Sequence, residues 1–157
     1  MAKRAAEPRW LSPEELETWR SLHLVLTTLP NALGNQLQSD AGLSFLEYYV
    51  IAALSEQPDR TMRLSLLALL ANAELSRLSH LVGRLEKRGL LRREPDPSDG
   101  RFTNAVLTDV GLALVKEAAP GHVGRVRELV FDVLTEAEQR TLRRAAQKIL
   151  AGLADGC

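Results

Sequence analysis

The chain has little sulfur, little aromatic surface and no net charge. Its single cysteine, Cys157, excludes an intramolecular disulfide. The fold must therefore rest on packing alone, as expected in a reducing compartment. Aromatic residues make up 4% of the 157 positions. The core must then be built mainly from Leu, Ala and Val, a composition that favours helices. No apolar run approaches the roughly 18 residues of a membrane span. The opening MAKRAAEPRW has no apolar stretch after its basic residues. It is not expected to act as a secretory signal, and a cytoplasmic location is expected. His23, His80 and His122 do not form a metal-spaced cluster, and there is no Cys–His pair, phosphate loop or nucleophile motif. These absences argue against an enzyme, and neither a metal nor a cofactor is expected.

A formal net charge of zero argues, by itself, against a nucleic-acid ligand. The distribution of charge reverses that argument. Between Arg60 and Arg93 there are eight basic residues and two acids, Glu74 and Glu86, which gives +6, so the remainder carries −6. Such segregation creates a local positive field on a neutral protein.

The elements follow from start and stop signals. Ser12-Pro13-Glu14-Glu15 combines an N-cap, a first-turn proline and a capping box. The apolar stripe Leu16, Trp19, Leu22, Leu26, Leu29 then marks an amphipathic helix. Residues 1–11 read as a loose arm. Pro30 is expected to kink or end the helix near Leu29, with resumption from Asn31 to about Ser39. Ser44 and Glu47 form a second capping box, opening a helix to about Glu56 that is apolar nearly all round and so buried. Thr61-Met62-Arg63 reads as a small strand pairing with a later hairpin. Helices follow at about Ser65–Ala71 and Leu75–Arg88. Strands follow at Leu90–Glu94 and Thr103–Leu107, around the turn Asp96-Pro-Ser-Asp-Gly-Arg101. Thr108-Asp109 opens a long helix, kinked at Pro120-Gly121. Thr135 and Glu138 form a third capping box, and a last helix runs to about Leu153.

The expected fold is mainly α with a small β-wing: a winged helix-turn-helix flanked by long N- and C-terminal helices. The expected division is residues 1–42 for an arm and dimerisation helix, 43–108 for a DNA-binding unit and 109–157 for C-terminal dimerisation helices. The terminal stripes exceed what one small winged helix can cover, so a second copy is the simplest cover, with packing inside one chain as the alternative.

On the helix beginning at Leu75, Leu78, Leu81, Val82 and Leu85 form the anchoring stripe. Ser76, Arg77, Ser79, His80, Gly83, Arg84 and Lys87 carry the polar side. Arg can be bidentate to a guanine edge, while Ser and His can bond a base or a phosphate. A solvated face normally mixes signs, whereas this one has Glu86 only at its margin and leads into Arg92-Arg93. Arg101, at the hairpin tip, suits a narrow minor groove, and Asp99 can hold its guanidinium in place. A solvated hairpin with a local Asp–Arg pair is the plain alternative.

The run SRLSHLVGRLEKRGLLRREPDPSDGR followed by LTDVG at 107–111 resembles the MarR family of bacterial transcriptional regulators. The resemblance extends to GLSFLEYYVIAALSEQPDR at 42–60 and EAAPGHVGRVRELVFDVLT at 117–135. Its most specific piece is the Asp-x-Arg wing, Asp99 and Arg101. It implies a homodimeric repressor whose recognition helices enter successive major grooves of a pseudo-palindromic DNA operator, released in many members by a small aromatic effector. On this resemblance the DNA-contacting set is Ser76, Arg77, Ser79, His80, Arg84, Lys87, Arg93, Asp99 and Arg101. The candidate ligand pocket is Trp19, Leu22, His23, Tyr48 and Tyr49, residues that otherwise read as ordinary core aromatics and a satisfied histidine. Cysteine oxidation, known in some members, has only Cys157 to act on, and the chain holds no resolving partner. Two positions depart from the family pattern. Glu74 stands where the family usually has Ser; it caps poorly, and its charge would lie near phosphates. Leu66 stands where an exposed acid is common. The competing reading is a winged-helix protein-interaction module, which the neutral overall charge favours.

Overall fold

A computed structural model of the chain describes residues 8–154. Cys157 and part of the expected N-terminal arm lie outside them. The order is α1 (Pro13–Ala41), α2 (Phe45–Ser55), β1 (Thr61–Arg63), α3 (Leu64–Leu70), α4 (Leu75–Lys87), β2 (Leu91–Pro95), β3 (Thr103–Leu107), α5 (Asp109–Val126), a π-helical turn (Arg127–Phe131) and α6 (Glu136–Ala154). The fold is thus mostly helical with one small antiparallel sheet, ordered β1-β3-β2. β1 joins the hairpin as its third strand, with Met62 opposite Ala105. No described helix is long and apolar enough to cross a membrane.

All three capping boxes form. The Ser12 backbone N–H donates to Glu15 at 2.8 Å, that of Ser44 to Glu47 at 2.9 Å and that of Thr135 to Glu138 at 2.8 Å. Each serine or threonine side chain accepts the reciprocal bond. Gly42 and Gly89 end their helices with φ of 61° and 73°, the left-handed conformation that glycine takes without penalty.

The helix does not end near Pro30 and resume at Asn31. α1 runs through the proline as one helix of 29 residues. A proline removes one backbone donor and crowds the carbonyl a turn earlier. Side chains bond the carbonyls in this stretch: Asn31 donates to the Thr27 carbonyl at 3.0 Å, and Thr27 Oγ1 donates to that of His23 at 3.0 Å. The irregularity after the wing is also displaced from its expected place. α5 passes through Pro120 as α-helix, and the widened turn comes at Arg127–Phe131. There the Asp132 N–H reaches back five residues to the Arg127 carbonyl at 2.8 Å, and the Arg127–Asp132 ion pair at 2.9 Å spans the same turn.

The core lies where α2, α3, α4 and the sheet meet. Leu43, Val50, Ile51, Leu54, Leu67, Leu78, Val82, Leu85 and Ala105 are fully buried there. α5 is seated on this unit by a backbone contact. A Cβ on Gly111 would stand 2.0 Å from the Leu90 carbonyl oxygen and 2.6 Å from Leu107 Cδ1. The Thr108 hydroxyl, N-cap of α5, bonds the Gly89 and Leu90 carbonyls at 2.7 and 2.9 Å at the same seam. Because the obstructing atom is backbone, Gly111→Ala must push α5 off the sheet. We expect a loss of about 1–3 kcal/mol or more, read as a lower urea midpoint with unchanged slope.

Candidate nucleic-acid interface

Burial of Leu78, Leu81, Val82 and Leu85 fixes the orientation of α4. At 3.6 residues per turn the remaining positions divide three ways. Ser76, His80 and Lys87 point away from the core and are exposed. Ser79 lies on the wing side, sharing a shallow cleft with Leu75, Arg101, Phe102 and Thr103. Arg77 and Arg84 lie on the side of α2. Arg77 makes no ion pair among the described residues. Arg84 Nη2 approaches the buried Glu47 Oε1 at 3.5 Å, so its guanidinium leans toward α2.

The hairpin is more tightly organised than its turn composition indicates. Arg101 is 87% exposed, yet Asp99 grips it through Nε at 3.0 Å and Nη2 at 2.6 Å and also accepts its backbone N–H at 3.1 Å. These bonds hold the Asp99 carboxyl below its ordinary range and raise the guanidinium further. Beneath them lies a contact the sequence reading missed. Arg63, on β1, donates from Nε to Asp96 Oδ2 at 2.6 Å and from Nη2 to Ser98 Oγ at 2.9 Å. Its Cζ lies 4.7 Å from the centre of the Phe102 ring. Asp96 is buried, and its other oxygen accepts the Ser98 N–H at 2.8 Å. Its carboxyl is held far below the ordinary range, first by Arg63 and then by Ser98.

Arg93 is likewise committed. Glu86 accepts its backbone N–H at 2.9 Å and its guanidinium at 2.8 Å. The acid at the margin of α4 therefore clamps the helix to β2. Arg93 Nη2 passes 3.9 Å from where a Cβ on Gly83 would stand, an ordinary contact distance. Of the five acids between residues 60 and 108, Glu86, Glu94, Asp96 and Asp99 are all ion-paired. Glu74 is the exception. It occupies the N-cap of α4 without making a side-chain cap bond.

The structure does not bring the expected pocket residues together within the chain. Trp19 and His23 stack at 5.8 Å on the exposed first half of α1. Eighteen residues of helix, about 27 Å, separate Trp19 from the buried Leu37. Tyr48 is buried, 4.6 Å from the His122 ring on α5. Tyr49 faces the other way and donates to the Leu70 carbonyl at 3.1 Å. His122 Nδ1 and Gln36 Oε1 are buried without hydrogen-bond partners.

The winged geometry has close counterparts. A family model described as MarR family matches residues 41–101. Sco3205, a MarR family transcriptional regulator from Streptomyces coelicolor solved in complex with DNA, is 45% identical. The match covers 93% of this chain and 92% of that one, with a TM-score of 0.89. The chain belongs to the MarR family of transcriptional regulators. A second MarR-family structure, AbsC from Streptomyces coelicolor, is 36% identical over 94% of this chain and 99% of that one, with a TM-score of 0.89. The HTH-type transcriptional regulator MhqR of Bacillus subtilis is 31% identical over 98 residues, 62% of this chain and 65% of that protein. The chain spans less than two thirds of the length of the curated relatives it matches. MarR-family proteins are regulators, not enzymes.

A carboxylate with a depressed folded pKa stabilises the fold above its unfolded value, and that contribution fades as pH falls. Asp96→Asn should therefore destabilise most at neutral pH, with the gap to wild type narrowing below about pH 4, as measured by urea unfolding from pH 7 to pH 2. Glu74→Ser should supply the missing cap, worth about 1 kcal/mol. It should also tighten DNA binding at low salt, with the gain fading as salt screens it. Unchanged affinity across the titration would reject the electrostatic part.

Proposed function

We propose that the chain is a homodimeric repressor that binds a pseudo-palindromic operator through residues 43–108. α4 would enter the major groove and the Arg101 wing the adjacent minor groove. The observation that carries this reading is the exposed face of α4. Ser76, Arg77, His80 and Lys87 are exposed, Arg77 and Lys87 make no ion pair among the described residues, and beside them an arginine is already held out into solvent. In the groove, Arg77 and the short donors read bases, while Lys87 and Arg93 meet phosphates. Asp99 contributes by orienting Arg101.

Residues 1–42 and 109–157 serve as the dimerisation layer in this reading. The protomer exposes 11613 Å². A self-contained folded protein of 17.3 kDa exposes roughly 7,800 Å². α6 buries no residue, and Leu142, Ile149, Leu150 and Leu153 are all exposed along it. On α1, Trp19, Leu24, Val25 and Leu26 are exposed as well. An obligate homodimer interface of roughly 2,000–5,000 Å², counted over both partners, would cover about 1,000–2,500 Å² of this surplus on each copy. The protein would act in the cytoplasm, on DNA.

An effector site fits better around Tyr48, Phe45 and His122 than at the full set containing Trp19, His23 and Tyr49. The buried Tyr48 ring and the half-buried Phe45 and His122 rings there adjoin the unpartnered His122 Nδ1, with Gln36 beside Gly121. Aromatic carboxylates at millimolar concentration should raise the melting temperature if this site releases the repressor.

The protein-interaction reading is favoured by one feature. Leu66, Leu69, Leu70 and Leu75 are exposed on and beside α3. In-vitro selection of bound DNA followed by a salt titration separates the two readings. A repressor whose Lys87 and Arg93 meet phosphates in both protomers should yield a consensus and a log–log salt slope of about −4. Lys87→Ala should make that slope shallower by about 2 per dimer. No consensus and a flat slope would favour the interaction module.

A further inference from the structure

Arg63 lies outside the expected DNA-contacting set, yet three parts of the unit meet at it. Its backbone ends β1 and starts α3 at once. Its side chain crosses to the wing, 33 residues away in sequence. We propose that Arg63 is a positioning residue for DNA reading, fixing the wing relative to the helix pair so that Arg101 and α4 engage neighbouring grooves together. The inference rests on the DNA-binding reading above.

The chain of contacts is continuous. The planar guanidinium of Arg63 bonds Asp96 and Ser98 and lies over Phe102. Asp96, once held, accepts backbone N–H groups from Ser98 at 2.8 Å and Asp99 at 3.3 Å. Asp99 in turn chelates Arg101. Without its cation, the buried Asp96 carboxylate must seek water, and the turn it organises loses its centre. β1 also pairs directly with β3, so the side chain ties the turn to a strand that is continuous with α3. A lysine cannot replace this arrangement, because two donors in a fixed fork and a flat face over the ring require a guanidinium.

The test uses the full chain on its selected operator, with two footprints. Hydroxyl radicals report minor-groove protection and dimethyl sulfate reports guanine N7 in the major groove. Wild type should protect both grooves. Arg101→Ala should lose only the minor-groove protection beneath the wing. Arg63→Gln should give the same pattern with affinity reduced about tenfold, and Arg63→Lys should not restore it. The double variant Arg63→Gln/Arg101→Ala should bind no more weakly than Arg101→Ala alone. Ser98→Ala, which removes one acceptor of the fork, should cause a smaller loss of the same kind and covers the case in which Arg63→Gln folds poorly. Retained minor-groove protection in Arg63→Gln overturns the inference. Equal loss of both footprints, or multiplying effects in the double variant, overturns it too by assigning Arg63 a general structural role. If wild type protects neither groove, the DNA-binding reading itself fails and takes this inference with it.

Discussion

Burial of one stripe of α4 decides how the rest of the molecule is used. Leu78, Leu81, Val82 and Leu85 are sealed against the core formed with α2, α3 and the sheet. Each such side chain contributes roughly 1.5–3 kcal/mol on leaving water. No rotation of the helix keeps that gain. The polar positions are therefore held outward by the apolar ones. A reading face needs this constraint, because its side chains must stay in place before any ligand arrives.

Charge is organised on a second principle, pairing without concealment. Arg93 is clamped by Glu86, Arg63 by Asp96 and Arg101 by Asp99. The pairs of Arg93 and Arg101 are exposed and add little stability, so their value lies in geometry, whereas Asp96 is buried beside Arg63. Arg101 remains 87% exposed while four contacts to Asp99 fix it. Attraction for a polyanion falls mainly to Arg77 and Lys87, which make no ion pairs among the described residues. The zero net charge thus describes the whole chain and not the face that matters.

Local signals were legible in the sequence. Each capping box needs only residues three apart, and all three formed; the glycine stops at Gly42 and Gly89 were equally clear. The α4 stripe, the wing strands and the Asp99–Arg101 pair followed from spacing within a few residues. Features that depend on neighbours were not legible. Pro30 fits inside α1, where Asn31 and Thr27 bond nearby carbonyls. Glu86 reads in the sequence only as an acid at the margin of the α4 face, because its partner Arg93 stands on another element. Arg63 and Asp96 are 33 residues apart and share no pattern. The pocket residues share only their type, and the length of α1 keeps Trp19 and His23 far from the core end of the helix beside Tyr48.

The terminal helices carry the remaining claim, that two winged units act as one. α6 buries nothing and α1 leaves much of its first half apolar and open. A pair joined through these helices presents two recognition helices at a fixed separation. The most direct measurement is therefore affinity for the selected operator with about 5 base pairs inserted between its half-sites, half a helical turn. A rigid pair predicts that the insertion turns one half-site to the opposite face of the duplex and reduces binding to that of a single half-site. Affinity unchanged by the insertion would contradict the account, because the two units would then be reading DNA independently.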